Sequence, residues 1–309
     1  MSCPNATAPI DISMSKITGK CDYKCSYRFG YSNSSCVATN RGDYISILYD
    51  KSSSPPVVYN TNGYDVKELR MYTPSLHSYN GSKTDGELII IHSSNTGSNP
   101  LLVCIPIKSN NSSSMSASLF KQLIDNVAAS APSNGETTTF NVSKFNLNYL
   151  VPKTPFFSYS ATEPYQPCSE EVEYIVFGLQ NSLDILSESF ATLQTIITSN
   201  PYDIKRGPKL FYNEKGPIVG GFGNGEIYID CQPVGSSDET TEIVTDMGGS
   251  SQYPTTFKDW LKNPLIKLIL GAILFIVILL LVKYALGLIK PAKGGALTVE
   301  SVLMGGRKK

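Results

Sequence analysis

The chain has 309 residues, of which 41% are hydrophobic and 17% charged, and its 26 basic and 26 acidic residues leave no formal net charge. This balance conceals an asymmetry, because residues 1–257 carry 17 Lys and Arg against 24 Asp and Glu, while the remainder carries 9 against 2. The acidic charge of residues 1–257 argues against nucleic acid as a partner, although an acidic domain can still carry a local basic patch. The basic end is suited to anionic lipid headgroups.

Short alternating and apolar runs predict a protein built mainly from strands. Residues 21–58 contain strand-like runs such as CSYRFGY and DYISILYD, separated by polar turns. The run LLVCIPI at 101–107 is apolar on both faces, which predicts a central place in a sheet. Further strands are predicted at 65–72, 86–93 and 172–177, and an extended stretch at 138–149.

Two segments have the apolar spacing of helices. Residues 118–129 carry apolar side chains three and four positions apart, which predicts an amphipathic helix. Residues 187–198 show the same spacing, with Ser187 as the expected N-cap and Pro201 beyond the end. The prediction is therefore a strand-rich protein with a small number of helices.

The longest apolar run, LIKLILGAILFIVILLLVKYALGLI, lies at residues 265–289. The apolar and small residues between Lys267 and Lys283 form about 22 Å of helix at roughly 1.5 Å per residue, and the flanking apolar residues extend it enough to cross a bilayer. We predict a folded domain at 1–232, a flexible polar stem at 233–263, a transmembrane helix at 264–289 and a short basic tail at 290–309. The lysines expected to flank the membrane are Lys262, Lys267, Lys283, Lys290 and Lys293.

Two cues on the orientation of this helix conflict. The opening residues MSCPNATAPI lack the pattern of a signal peptide, so insertion through the late anchor is expected, which favours a cytosolic main domain. The basic tail instead favours a cytosolic C-terminus. A buried core helix is the alternative to a membrane span, but such a helix rarely lacks a polar face over so many residues.

Seven cysteines leave at least one unpaired within the chain. Four of them lie within the first 36 residues, and a disulfide involving Cys21, Cys25 or Cys36 is expected in an oxidising compartment. A zinc site is the alternative, because Cys21 and Cys25 have a spacing that supplies two ligands. No second close pair of Cys or His follows them in the sequence to complete a tetrahedron.

Asn-x-Ser/Thr sequons mark candidate glycosylation sites at Asn5, Asn33, Asn80, Asn110, Asn111 and Asn141. A chain this rich in Asn, Ser and Thr also produces such triplets by chance, and a cytosolic domain leaves them unmodified. Both interpretations stay open at the level of the sequence.

Residues 145–197 resemble the C-terminal half of the α-class carbonic anhydrases. The resemblance is carried by the order YLVP, FFSY, EPYQP, VEYIVF and SESFATL, which matches a leucine-proline turn, an aromatic-Tyr stretch, a proline-bearing loop, an apolar strand and a Ser-capped helix. APIDIS near the start is similar to the family's SPINI phrase, and GELIIIHSS to its ELHLVHW strand, so the resemblance covers about residues 8–200. It implies a mainly β (α+β) fold with a central twisted, mostly antiparallel sheet and a few peripheral helices, here with one C-terminal transmembrane helix added.

Carbonic anhydrase chemistry needs a zinc ion held by three neutral imidazoles with an open fourth position. This chain has only two histidines, His77 and His92. The resemblance places Arg70, Tyr72 and Ile89 where the three ligands are expected, and it matches His92 to a histidine that does not bind the metal. The family's gatekeeper threonine motif is also lost, since the loop reads ATEPYQP. Arginine has no lone pair to donate, so we expect no metal, no cofactor and no enzymatic activity.

Such a domain on a C-terminal anchor is similar to the carbonic-anhydrase-like envelope proteins of poxviruses, which implies a large DNA virus as the source. The first hypothesis is a minor capsid protein of the virion membrane whose non-catalytic domain tethers the bilayer to viral capsid proteins. The alternative is an attachment protein for host cell-surface glycans, which needs clustered Lys and Arg that an acidic domain has few to supply. A different enzyme is the third hypothesis, but no nucleophile elbow or Cys-His-Asn arrangement is visible.

Overall fold

The strands and helices of the protein are seen in a computed structural model, which describes residues 3–166, 168, 171–199 and 202–220. The strands are β1 (Asp11–Ile12), β2 (Ile17–Lys20), β3 (Tyr27–Phe29), β4 (Ser34–Asn40), β5 (Tyr44–Leu48), β6 (Val57–Tyr59), β7 (Asn62–Tyr72), β8 (Ser78–Tyr79), β9 (Gly86–Ser94), β10 (Leu101–Asn110), β11 (Thr137–Phe145), β12 (Phe156–Thr162), β13 (Glu171–Phe177), β14 (Leu183–Leu186), β15 (Leu210–Asn213) and β16 (Ile218–Val219). The helices are α1 (Met115–Ser130) and α2 (Ser187–Ile196), with 3-10 turns at Met14–Lys16, Leu147–Tyr149 and Leu179–Asn181.

One large sheet of 14 strands organises these elements. Its main path runs β11-β4-β5-β7-β9-β10-β13-β12-β15-β2, and β1 and β8 form a separate parallel pair. Most neighbouring strands along the path are antiparallel, while β10 with β13 and β15 with β2 are parallel. The expected twisted, mostly antiparallel sheet with few helices is therefore confirmed.

The most apolar strands lie in the middle of this sheet. β10 is flanked by β9 and β13, and its first seven residues are all buried, as the run LLVCIPI predicted. Alternate side chains of β10 enter two different cores, because successive residues of a strand point to opposite faces. Val103 and Ile105 join a core that contains the apolar face of α1, whereas Leu102 and Cys104 join a second core rich in tyrosine.

Both predicted helices exist, with changes at their starts. α1 begins three residues earlier than predicted, because the Ser114 side chain accepts a hydrogen bond from the Ala117 backbone N–H and caps the first turn. Ser187 was predicted to be the N-cap of α2 but is its first residue. Leu186, the last residue of strand β14, occupies the cap position and makes no side-chain capping bond, because its side chain has no hydrogen-bond acceptor.

The extended stretch predicted at 138–149 is shorter in the structure. β11 ends at Phe145, and Leu147–Tyr149 forms a 3-10 turn. The Asn146 side chain accepts a hydrogen bond from the Asn148 backbone N–H at 2.9 Å, which stabilises the turn in place of further sheet pairing. A local capping residue therefore ended the strand earlier than the apolar pattern indicated.

Four cysteines form two disulfides, Cys21–Cys25 and Cys3–Cys168. The expected N-terminal disulfide is confirmed for Cys21 and Cys25, which the alternative treated as zinc ligands. Cys36 was a third candidate for this pairing and is instead a buried free thiol. The Cys3–Cys168 bond joins residues 165 positions apart, a distance over which the sequence carries no pairing signal.

The predictions for the C-terminal part concern residues outside the described ranges. These are the end of the 1–232 domain from residue 221, the stem at 233–263, the transmembrane helix at 264–289, the tail at 290–309 and the flanking lysines Lys262, Lys267, Lys283, Lys290 and Lys293. Among the residues that the structure describes, neither helix combines the length and the hydropathy required to span a bilayer.

Candidate functional site

Arg70, Tyr72 and Ile89 lie close together at the centre of the sheet. Arg70 is the direct cross-strand partner of Ile89 in the β7–β9 pair, and Tyr72 pairs with Glu87 in the same ladder. Arg70 and Tyr72 are two residues apart on one strand, so their side chains leave the same face. The structure therefore brings together the three residues that the sequence placed at the ligand positions.

The guanidinium group of Arg70 is held between two aromatic rings. Its central carbon lies 4.9 Å from the ring centroid of Tyr44 and 4.6 Å from that of Tyr165. Its Nε donates a hydrogen bond to the carboxylate of Glu68, and both side chains are largely buried, at 16% and 14% exposure. A cation between two ring faces and beside a carboxylate is held by cation–π attraction and an ion pair together.

Tyr72 and Ile89 are buried beside this cation. Their relative exposures are 2% and 1%, so bulk water does not reach either side chain. Burial raises the pKa of Tyr72 well above its ordinary value, although the neighbouring Arg70 charge acts in the opposite direction. Tyr72 is therefore a neutral phenol at neutral pH, and Ile89 offers only hydrocarbon.

This set of side chains does not fit the zinc ion that the resemblance implies. A catalytic zinc site of this class needs three neutral nitrogen donors around an open position. Arg70 carries a permanent positive charge and no lone pair, Tyr72 keeps its proton, and Ile89 has no donor atom. No step of a metal-assisted reaction can be derived through these three residues.

A second polar group lies on the same face, around the buried carboxylate of Glu87. Its oxygens accept hydrogen bonds from the backbone N–H groups of Leu76 and His77, and His77 Nδ1 lies 2.6 Å from one of them. His77 Nε2 lies 2.6 Å from the hydroxyl of Tyr159. Burial acts to raise the pKa of Glu87, but the His77 charge and these hydrogen bonds outweigh it and lower that pKa.

His77, Glu87 and Cys104 bring three potential metal-ligand atoms within 4.8 Å of one another, which makes them a candidate metal centre among the described residues. Both ring nitrogens of His77 already have protein partners, Glu87 and Tyr159. Burial, and then the Glu87 charge, raise the pKa of Cys104 well above its ordinary value, so its thiol stays protonated. A thiol of this kind is a poor ligand, and the group is best described as a hydrogen-bonded core network.

Tyrosine rings fill the space around both polar groups. Tyr159 and Tyr174 stack in parallel with centroids 4.5 Å apart, and Tyr72 stacks on Tyr165 at 6.3 Å. The rings of Tyr159, Tyr165 and Tyr174 are almost completely buried. The face of the sheet that carries the predicted ligand positions is thus closed by side chains.

His92 serves the interior of the domain. It is fully buried, its Nδ1 lies 3.1 Å from the Leu101 carbonyl oxygen, and its Nε2 lies 3.0 Å from the Tyr31 hydroxyl. Burial lowers the pKa of His92 to about 4, so the ring is neutral at physiological pH. These contacts are those of a structural histidine.

Sequence reasoning matched Arg70, Tyr72 and Ile89 to the ligand positions of the family but did not predict the residues that contact Arg70. Tyr44, Tyr165 and Glu68 around Arg70, and the Glu87 network, were not predicted. Glu87 had a signal, because it is the one charged residue inside the buried run GELIIIH. Tyr165 had none, since its contact with Arg70 depends on the path of a distant loop.

Comparison with known proteins identifies the relatives of this domain. The sequence profile of the family described as eukaryotic-type carbonic anhydrase matches residues 3–207. A search of curated protein sequences gives no match.

Several solved structures share the fold at low identity. The α-carbonic anhydrase from Thermovibrio ammonificans, in complex with the inhibitor sulfanilamide, has a TM-score of 0.54 at 18% identity over 67% of this chain and 86% of its own. Carbonic anhydrase Cah3 from Chlamydomonas reinhardtii, in complex with acetazolamide, gives 0.55 at 17% over 68% and 91%. Dioscorin complexed with ascorbate gives 0.58 at 16% over 69% and 87%. The family profile covers most of the chain and these structures share its fold, so the chain belongs to the eukaryotic-type carbonic anhydrase family.

Proposed function

We propose that this chain is a non-catalytic member of its family and that the domain works as an interaction module. The observation that carries the proposal is the cation of Arg70, which lies between Tyr44 and Tyr165 at a position that the resemblance matches to a zinc ligand. With two histidines in the whole sequence, both bonded within the core, one chain cannot assemble three imidazole ligands.

The proposed place of action is the membrane of a virion. The apolar run at 265–289 supports attachment to a bilayer, and the similarity to poxvirus envelope proteins supports a large DNA virus as the source. In this proposal the domain tethers the membrane to viral capsid proteins and acts as a minor capsid protein. The packing of aromatic rings and the Glu68 carboxylate around the Arg70 cation supports a role in protein contact over chemistry.

Two measurements test this proposal. Zinc content and CO2 hydration are measured on the purified full-length chain, with an active carbonic anhydrase as the control, and we expect neither stoichiometric zinc nor activity above the uncatalysed rate. Cross-linking mass spectrometry on the intact native particle should then join lysines of residues 3–220 to capsid subunits. Zinc with activity would refute the non-catalytic role, and an absence of capsid cross-links would refute the tethering role.

A local basic cluster supports attachment to host glycans as the second candidate function. Lys205, Arg206 and Lys209 lie in the five residues that precede β15, and Lys16 lies immediately before β2, its parallel neighbour. Leu210 pairs with Ile17 across these strands, so the two groups of charges lie at the same end of the pair. Arg206 and Lys209 are exposed, whereas Lys16 is already paired with Asp11 at 2.7 Å.

Salt dependence separates this candidate from the tethering role. Binding of the full-length chain to a sulfated polysaccharide through this cluster should weaken steeply as ionic strength rises, because exposed charges are screened by salt. Arg206→Ser with Lys209→Ser should remove that binding. Lys121→Ser, which removes a charge on α1, is the matched control and should not change it. Equal binding by both variants would exclude the cluster as the glycan site.

A further inference from the structure

Two features of the described domain bear on the compartment in which it matures. The first is its pair of disulfides, of which Cys3–Cys168 joins the N-terminal segment to a loop 165 residues away. Bonds of this kind form and persist in oxidising compartments and are rare in the cytosol. The second feature is the placement of the sequons, which was open at the level of the sequence.

The asparagines of four sequons lie on the surface of the folded domain. Asn5, Asn33, Asn80 and Asn111 are all exposed. Asn80 has a positive φ of 51°, which is typical of a residue in a tight turn, and Gly81 follows it in the same turn. The Oδ1 of Asn33 accepts a hydrogen bond from Asn146, which leaves a different atom, Nδ2, as the one that carries a glycan. All four positions accommodate a bulky group without displacing a core side chain.

Asn110 differs from these four although it is also part of a sequon. Its Nδ2 donates a hydrogen bond to the Asp184 carboxylate, and its Oδ1 accepts one from the Ser112 backbone N–H at 2.8 Å. It is the last residue of β10 and pairs with Leu186 of β14. A glycan on Nδ2 would separate Asn110 from Asp184 and disturb the junction of these two strands.

We propose that the domain is N-glycosylated at Asn5, Asn33, Asn80 and Asn111 and not at Asn110, and that it faces the lumen or the exterior. In the reaction the Asn Nδ2 forms a bond to the anomeric carbon of a preassembled oligosaccharide. The bond from that carbon to the oxygen of a lipid-linked diphosphate breaks, and the diphosphate leaves while the amide releases a proton. The ligand class is thus an oligosaccharide donated by a lipid diphosphate. The sequon at Asn141 is not part of the assignment.

Site mapping on the full-length chain from eukaryotic cells tests the proposal. Enzymatic deglycosylation in heavy-oxygen water converts each glycosylated Asn to a labelled Asp, which peptide mass spectrometry then locates. We expect label at Asn5, Asn33, Asn80 and Asn111 and none at Asn110. A chain that carries no glycan at any of these positions, or a label at Asn110, would overturn the assignment.

Two matched variants sharpen the result. Ser113→Ala removes the sequon of Asn111 but leaves the sequon Asn110-Asn111-Ser112 intact. We expect this variant to carry one glycan fewer than the parent chain. An unchanged number of glycans would place one of them on Asn110 and contradict the proposal. Ser82→Ala removes the sequon of Asn80 while the exposed turn keeps its backbone bonds to Tyr79, and it should also lose one glycan. We expect both variants to unfold with the same curve as the parent chain, which would show that the losses are not caused by misfolding.

Discussion

The ring of Tyr165 lies 4.6 Å from the guanidinium carbon of Arg70, and the two residues come from parts of the chain far apart in sequence. Tyr165 belongs to the loop after β12, whereas Arg70 lies inside β7. Their contact joins that loop to the centre of the sheet at the position where the family resemblance expects a metal. The domain holds a packed cation at this position, and its contacts have measurable consequences for stability.

Arg70→Ala should be strongly destabilising. It removes the cation from both rings and leaves the largely buried Glu68 carboxylate without its ion-pair partner, so the free energy of unfolding should fall by about 3 kcal/mol. Arg70→Lys keeps the charge but loses the planar group and should show a smaller loss. Urea unfolding of the parent chain and of the variants measures both changes. A loss below about 0.5 kcal/mol for Arg70→Ala, as at an exposed surface site, would contradict these contacts.

The stacked pair of Tyr159 and Tyr174 offers a controlled test of the core network. Tyr159→Phe removes the hydroxyl 2.6 Å from His77 Nε2, and we expect a loss of about 1–3 kcal/mol because a buried polar atom loses its partner. Among the described residues, the buried Tyr174 hydroxyl has no hydrogen-bond partner, so Tyr174→Phe should be neutral or stabilising. Denaturant midpoints of the two variants give the comparison. Equal losses would show that the hydrogen bond to His77 does not determine the effect.

His92 should make the domain sensitive to mild acid. The pKa of His92 is lowered from 6.5 to about 4 in the folded state, so between these values the unfolded chain binds a proton that the folded one does not. Stability is therefore lost as the pH falls from about 6.5 towards 4, by roughly 3 kcal/mol in total. His92→Gln should flatten this part of the curve of unfolding free energy against pH. A variant with the same slope as the parent would exclude His92 as the cause.

The two disulfides should differ in their contribution to stability. Closing a loop of 165 residues removes more unfolded-state entropy than closing one of 4, and the entropic estimate is about 5 against about 2 kcal/mol. Cys3→Ala with Cys168→Ala should therefore cost more than Cys21→Ala with Cys25→Ala in urea unfolding. The reverse order would indicate that packing around the short loop outweighs the entropy.

Much of the sheet could be predicted from the sequence because its central strands carry strong patterns. β7, β9 and β10 were found within a few residues of their ends, and β10 was placed correctly in the interior since both of its faces are apolar. The errors arose where one polar side chain decides a boundary. Asn146 ends β11 in a 3-10 turn, and Ser114 starts α1 before its apolar face begins.

The proximity of the three predicted site residues is confirmed, but the residues that surround them were not predicted. Motif order led to Arg70, Tyr72 and Ile89, and the structure brings them together because β7 and β9 pair in that register. The partners of Arg70 depend on which loops return to the sheet, and no periodicity in the chain encodes that. The Cys3–Cys168 pairing has the same origin, since it reports the path of the whole domain.

That disulfide also keeps the domain in one covalent piece after a single cut of the backbone between its two cysteines. Because Cys3 and Cys168 are covalently joined, a single cut of the backbone anywhere between them leaves one molecule instead of two fragments. Such a cut opens the ring formed by this part of the chain without releasing either end. A protease that nicks a surface loop there would yield a chain of unchanged size on a non-reducing gel, and the two fragments would separate only after reduction.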